Sequence, residues 1–194
     1  MCVAVVVPAG VKLDEDTLNK MHAANRDSWG IATYDAYTTP AAEGSSRAPG
    51  YVAIVKGIGN TESMLEAYNQ QLSIGKRAEH PHLIHFRIRT SGKTDVPNAH
   101  PFHIKHGALI HNGHLTGHHG GNYSDTFYWA KMFSDFLPKN LTEEQKAYLG
   151  KLIGNYNKLA MLFNDGTTAI INESAGTTLP NGVWVSNNGW SYRR

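Results

Sequence analysis

The sequence predicts an α+β protein in which mainly antiparallel sheets are covered by helices. Three observations carry this. Short β-branched or apolar runs cluster along the chain. Helical segments fall in pairs between those clusters rather than alternating with them one by one, as a doubly wound parallel sheet would require. Between two apolar runs stands Asn164-Asp165-Gly166-Thr167, a strong hairpin signal.

Each element has its own reason. Val3–Val7 is a β-branched run closed by Pro8-Ala9-Gly10 and reads as a buried strand. A helix follows from Asp14 to about Asn25, with Asp14 or Asp16 as acidic starts and Leu18, Met21 and His22 on one face. Trp29–Tyr37 and Tyr51–Lys56 read as strands around Thr38–Gly50, a Ser-, Ala-, Pro- and Gly-rich exposed loop. Glu62–Leu72 is a short amphipathic helix. Leu83–Arg89 and Ala108–His111 are strands on either side of a long polar loop. Ser124–Phe136 and Glu143–Ile153 are helices, the second opened by Thr142 with Gln145 as a capping box. Lys158–Phe163 and Thr168–Asn172 form the predicted hairpin, and Val183–Ser186 is a last strand.

Composition bounds the class. The 194 residues fit one domain, without internal repeat or interdomain linker. A hydrophobic share of 41% with 18% charged residues reads as a soluble globular chain with a real core. A net charge of +2 and the lack of any Lys/Arg run give no electrostatic case for nucleic acid. The apolar start is too short for a signal or membrane segment. A single cysteine rules out an internal disulfide framework and fits a cytoplasmic protein.

That cysteine is Cys2, directly behind Met1. Cysteine is small enough at this position for methionine removal, which would leave a thiol and a free α-amine on one residue. The amine titrates at about 7.7–8.0 and the thiol at about 8.5, so the amine can take the thiol proton near neutral pH. A nucleophile with a built-in base results.

Four further patches accompany it: Arg26-Asp27-Ser28-Trp29-Gly30-Ile31; His85 to Gly92 with Asn98-Ala99-His100-Pro101-Phe102; His111-Asn112-Gly113-His114-Leu115; and Ser124-Asp125-Thr126 at a helix start. Their order around a residue-2 cysteine resembles that of the class II (N-terminal cysteine) glutamine amidotransferases. The likeness is to their small stand-alone members, many carried by phages, and also to the γ-glutamyl amidohydrolase-like branch. It runs in patches as far as Trp184-Val185-Ser186-Asn187.

The resemblance implies a single type 2 glutamine amidotransferase domain over 1–194. Its fold would be that of the N-terminal nucleophile (Ntn) hydrolases, a four-layer αββα sandwich of mainly antiparallel sheets. Cys2 would attack the glutamine side-chain amide, forming a γ-glutamyl thioester. The Asn112 side-chain amide and the Gly113 backbone N–H would form the oxyanion hole, at about 3–4 kcal/mol per donor. Arg87 would take the substrate α-carboxylate as a bidentate fork, Thr90 would add a hydroxyl, and Asp125 would hold the α-ammonium. Arg87 and Arg89 are expected on one side of a strand. Asp27 and Gly30 are read as shaping a neighbouring loop, and His100-Pro101 as a loop anchor. Three positions depart from the family pattern: Val3 replaces a common glycine, Ile88 a tryptophan and Ser91 a histidine.

The eleven histidines are densely spaced, but no His-Glu-x-x-His helix or cysteine pair accompanies them. They are expected to be solvated or hydrogen-bonded, with no metal and no cofactor. L-glutamine is the expected small-molecule substrate, and a separate synthase subunit is a possible ammonia acceptor. Two alternatives stand beside this: an amidohydrolase of a larger γ-glutamyl metabolite without ammonia transfer, and a catalytically silent binding protein that retains Met1.

Overall fold

The computed structural model describes residues 2–36, 50–116 and 121–191. Met1, Tyr37, nearly all of the predicted 38–50 loop, and His118 and His119 lie outside the described residues.

The fold is mixed α+β, with two antiparallel sheets and four α-helices among the described residues. In chain order the elements are β1 (Val3–Val7), α1 (Glu15–Ala24), β2 (Ser28–Asp35), β3 (Tyr51–Gly57), α2 (Thr61–Ser73), β4 (His82–Arg87), β5 (Phe102–Ile104), β6 (Gly107–Asn112), α3 (Asp125–Phe133), α4 (Glu143–Ile153), β7 (Lys158–Phe163), β8 (Thr168–Ile171), β9 (Thr177–Thr178) and β10 (Trp184–Val185). The larger sheet runs β3-β2-β4-β1-β10-β9 and the smaller β5-β6-β7-β8. No described helix is long and apolar enough to cross a membrane.

Three apolar clusters set the layers. Val3, Val5 and Val7 of β1 join Leu18 and Met21 of α1 and Met64 and Tyr68 of α2. The alternate residues Ala4 and Val6 turn to the opposite face and meet Ala108, Ile110, Ala160 and Leu162 of the smaller sheet. On that sheet's other face, Leu109, Leu159, Met161 and Phe163 pack under Trp129 of α3 and Ile153 of α4. The order is therefore helix pair, sheet, sheet, helix pair. Strands buried on both faces have no polar side to show, which is why β1 and β7 read as continuous apolar runs. Alanines at 4, 32, 108 and 160 let the two sheets approach closely.

Local chemistry starts the helices. The Asp14 carboxylate accepts the Thr17 N–H at the head of α1, Asn60 does the same for Ser63 in α2, and Thr142 and Gln145 close the expected capping box of α4. The β7–β8 hairpin forms at Asn164–Thr167 with Gly166 at φ +82°. Asn164 also accepts the Val52 N–H, tying this turn to the larger sheet.

Three differences from expectation bear on the site and its supports; in addition, β2 ends early at Asp35 and β9 was not expected. The strand expected over Leu83–Arg89 ends at Arg87. Arg89 therefore does not share a strand face with Arg87; it is exposed, and its N–H donates to the Asp27 carboxylate at 2.6 Å. A hydrogen bond outside the ladder draws the chain away at that point. Helix α3 ends at Phe133, short of Phe136. The polar loop before Ala108 contains β5, whose Phe102 and Ile104 are buried against the α3–α4 side.

Candidate active site

Cys2 precedes β1, a strand held centrally between β4 and β10. Val3 pairs with Phe86, which brings Cys2 beside Arg87 at the end of β4. The half-buried thiol donates to the Ile88 carbonyl at 3.3 Å. Burial pushes the thiol above its ordinary pKa, while the Arg87 charge pulls the other way.

The Cys2 carbonyl is gripped from two sides. The Asn112 side-chain amide, at the end of β6 in the other sheet, donates to it. Asn187, just past β10, donates to it at 2.8 Å. An amide nitrogen carries two hydrogens, so Asn112 Nδ2 has a second one beyond this bond. Asn112 Oδ1 is buried without a partner among the described residues. Gly113 follows at φ +143°, and a Cβ there would fall 2.2 Å from Asn157 Oδ1, so this turn needs glycine.

Arg87 is buried, and desolvation lowers its pKa against the opposing charges of Cys2, Asp27, Asp95 and Asp125. Its Nη1 donates to the Lys93 carbonyl at 2.9 Å and its Nη2 to the Ser91 carbonyl at 2.5 Å. Two of its five N–H donors thus organise the loop after β4. Thr90 is exposed on that loop. Asp27 buttresses it as expected, donating its N–H to the Arg87 carbonyl at 3.0 Å. Gly30 is required because a Cβ would sit 1.9 Å from the His100 carbonyl oxygen.

Asp125 lies in the first turn of α3, which Ser124 caps. Its Oδ2 accepts the Leu115 N–H at 2.8 Å and its Oδ1 the Thr126 N–H at 2.8 Å and the Ser91 hydroxyl at 3.3 Å. Ser91 bridges the Arg87 loop to Asp125 through its carbonyl and its hydroxyl. A cavity of about 380 Å³ opens beside Asp125, lined by Leu115, Trp129, Met132 and Ile153 among others.

Behind the site lie three buried histidines. The His85 Nε2 faces the His111 carbonyl at 2.9 Å and so carries the proton. It also meets His100 Nδ1 at 3.0 Å, which must then be an acceptor, as the His111 N–H at 3.4 Å requires too. The His85 Nδ1 has no partner among the described residues. Burial lowers His85 to about 3 and holds His100 well below its ordinary pKa, so both are neutral. No described group of three His, Cys, Asp or Glu side chains is placed to hold a metal ion.

The structure thus gathers Cys2, Asn112 and Gly113 at one point, with Arg87 and Asp125 joined through Ser91. Asn157 and Asn187 were not singled out as site residues from the sequence. An asparagine beside a strand end carries no signal until its partners, 43 and 185 positions away, are known. In comparisons with known proteins, the chain matches no family model and no curated protein.

Proposed function

We propose that this protein is a glutamine amidotransferase-type amidohydrolase of the Ntn-hydrolase fold that uses Cys2, freed by loss of Met1, as its nucleophile. The observation that carries the proposal is the meeting of Cys2 with Asn112-Gly113 from the opposite sheet. The helix–sheet–sheet–helix layering supports the fold assignment.

The thiol is held above its ordinary pKa by burial, so it needs a base. The α-amine exposed by processing serves as one, taking the thiol proton as sulfur attacks the amide carbon. The resulting oxyanion receives the second Asn112 Nδ2 hydrogen and the Gly113 N–H. Collapse breaks the C–N bond, the amine returns its proton to the departing ammonia, and a γ-glutamyl thioester remains on Cys2. Water, deprotonated by the same amine, hydrolyses it to glutamate. In this reading Arg87 and Thr90 take the α-carboxylate and Asp125 the α-ammonium, which selects a free amino acid over a glutamine within a peptide. If the ammonia is passed on rather than released to solvent, its acceptor is a separate synthase subunit.

The test is the intact mass before and after exposure to an electrophilic glutamine analogue. The expected result is a chain lacking Met1 with one adduct on Cys2, blocked by free glutamine and absent in Cys2→Ala. A processed chain that takes no adduct shifts the substrate to a larger γ-glutamyl amide. A retained Met1 overturns catalysis by this route and leaves a binding role.

A further inference from the structure

We propose that Asn157 is the positioning residue of this site, a single buried carboxamide that fixes the Gly113 turn and links it to Asp125. The inference rests on the function proposed above and adds a residue to it. Asn157 lies in the tight turn between α4 and β7 and is buried. Its Nδ2 donates to the Ile153 carbonyl at 2.6 Å. Its Oδ1 accepts two donors, the His114 N–H at 2.6 Å and the His111 ring Nε2 at 2.9 Å. Its own carbonyl is held by Asn172 Nδ2 at 2.7 Å. With a carbonyl on one side and an N–H on the other, the amide has one permitted orientation.

Two consequences follow from that orientation. Asn112 is fixed on one side of Gly113 by its pairing with Lys158, the residue after Asn157. His114 is fixed on the other side by the Asn157 side chain. Gly113, at φ +143° and lying against that side chain, is thus held between two fixed neighbours, which limits the swing of its N–H. Misaiming one such donor costs about 10²–10³ in rate in acyl-transfer sites.

The second consequence reaches the substrate's other end. Since Asn157 Oδ1 can only accept, His111 carries its proton on Nε2. Its Nδ1 then accepts the Thr126 hydroxyl at 2.8 Å. Thr126 in turn gives its backbone N–H to Asp125 Oδ1 at 2.8 Å. One amide thereby couples the oxyanion turn to the carboxylate proposed to read the α-ammonium.

The test uses Asn157→Ala and Asn157→Asp in the processed, full-length protein, with three readouts. Asn157→Ala should lower kcat for glutamine hydrolysis about 100-fold and, through the His111–Thr126 path to Asp125, raise KM by a smaller factor. Iodoacetamide alkylation of Cys2, which forms no oxyanion, should stay within about 2-fold of wild type. Hydrogen exchange at the His114 amide should speed up while that of Leu109 and Met161 stays slow. Asn157→Asp keeps the acceptor for both donors and should restore slow His114 exchange and part of kcat; it carries the test if the alanine variant folds poorly. Equal loss of alkylation and hydrolysis, or retention of both, would overturn the proposal. A wild type that alkylates but turns over no glutamine defeats the functional reading instead, and the His114 exchange then decides whether Asn157 holds the turn.

Discussion

Asp125 carries local structure and, in the function proposed above, would also carry recognition. Its oxygens take two backbone N–H groups and a hydroxyl while it lies at the positive end of α3. In Asp125→Asn the charge goes, and one carboxylate oxygen becomes a donor facing an N–H. A charge-assisted bond to an ammonium is worth about 1.5–3 kcal/mol, so KM for glutamine should rise about 10–100-fold. The unsatisfied N–H should also lower stability, by about 1–3 kcal/mol. Steady-state kinetics and a thermal melt on the same sample separate the two, and a lower Tm with an unchanged KM would leave Asp125 a purely structural role. Cys2 has its own residue-level signature. In a chain that keeps Met1, the buried thiol should alkylate with a pH midpoint above that of a free cysteine; a midpoint at or below it would contradict the burial.

At the scale of elements, the helix starts were legible because each is made within four residues. Asp14 and Thr142 cap as side chains next to the turn they open, as the sequence suggests, whereas the equally local Asn60 cap of α2 was not singled out from it. Thr142→Ala should cost about 1 kcal/mol, a fall in Tm of about 2–4 °C for a chain of this size. An unchanged melt would mean that packing of α4 on β8 alone fixes its first turn. Strand ends were less legible. Isoleucine and arginine continue the β4 pattern to Arg89, yet the strand stops at Arg87, where Asp27 draws the backbone away. β5 was missed because three residues make too short a run to show periodicity.

The whole molecule carries a buried histidine load. His82 is pushed down to about 4 and His85 to about 3, with His100 and His111 also lowered, all chiefly by burial. Their folded pKa values lie below the unfolded value of about 6.5. The unfolded chain therefore binds protons that the native one refuses, so stability is full above about pH 6.5 and falls as pH drops toward 4. Each such group contributes a slope of up to about 1.4 kcal/mol per pH unit. Thermal melts at pH 7.5, 6 and 5 should show Tm dropping steeply across that window. A flat profile would mean that these rings are protonated or exposed in the native state.

The sequence by itself determined the α+β class, the approximate place of most strands and helices, the helix starts at Asp14 and Thr142 and the Asn164–Thr167 turn. Cys2 stood out by its place behind Met1, whereas Asn112, Gly113, Arg87, Thr90 and Asp125 came only as what the family resemblance implies. These are patterns of residue type, and periodicity, capping and turn chemistry act over a few neighbouring residues. The tertiary structure alone decided which strands lie side by side. It brought Asn112 onto the Cys2 carbonyl across 110 positions, put Arg87 donors on its own loop, let Ser91 join that loop to Asp125, and gave Asn157 its two acceptor bonds. Buried polar groups must each find a partner, and which partner is within reach depends on the packing of segments far apart in the chain.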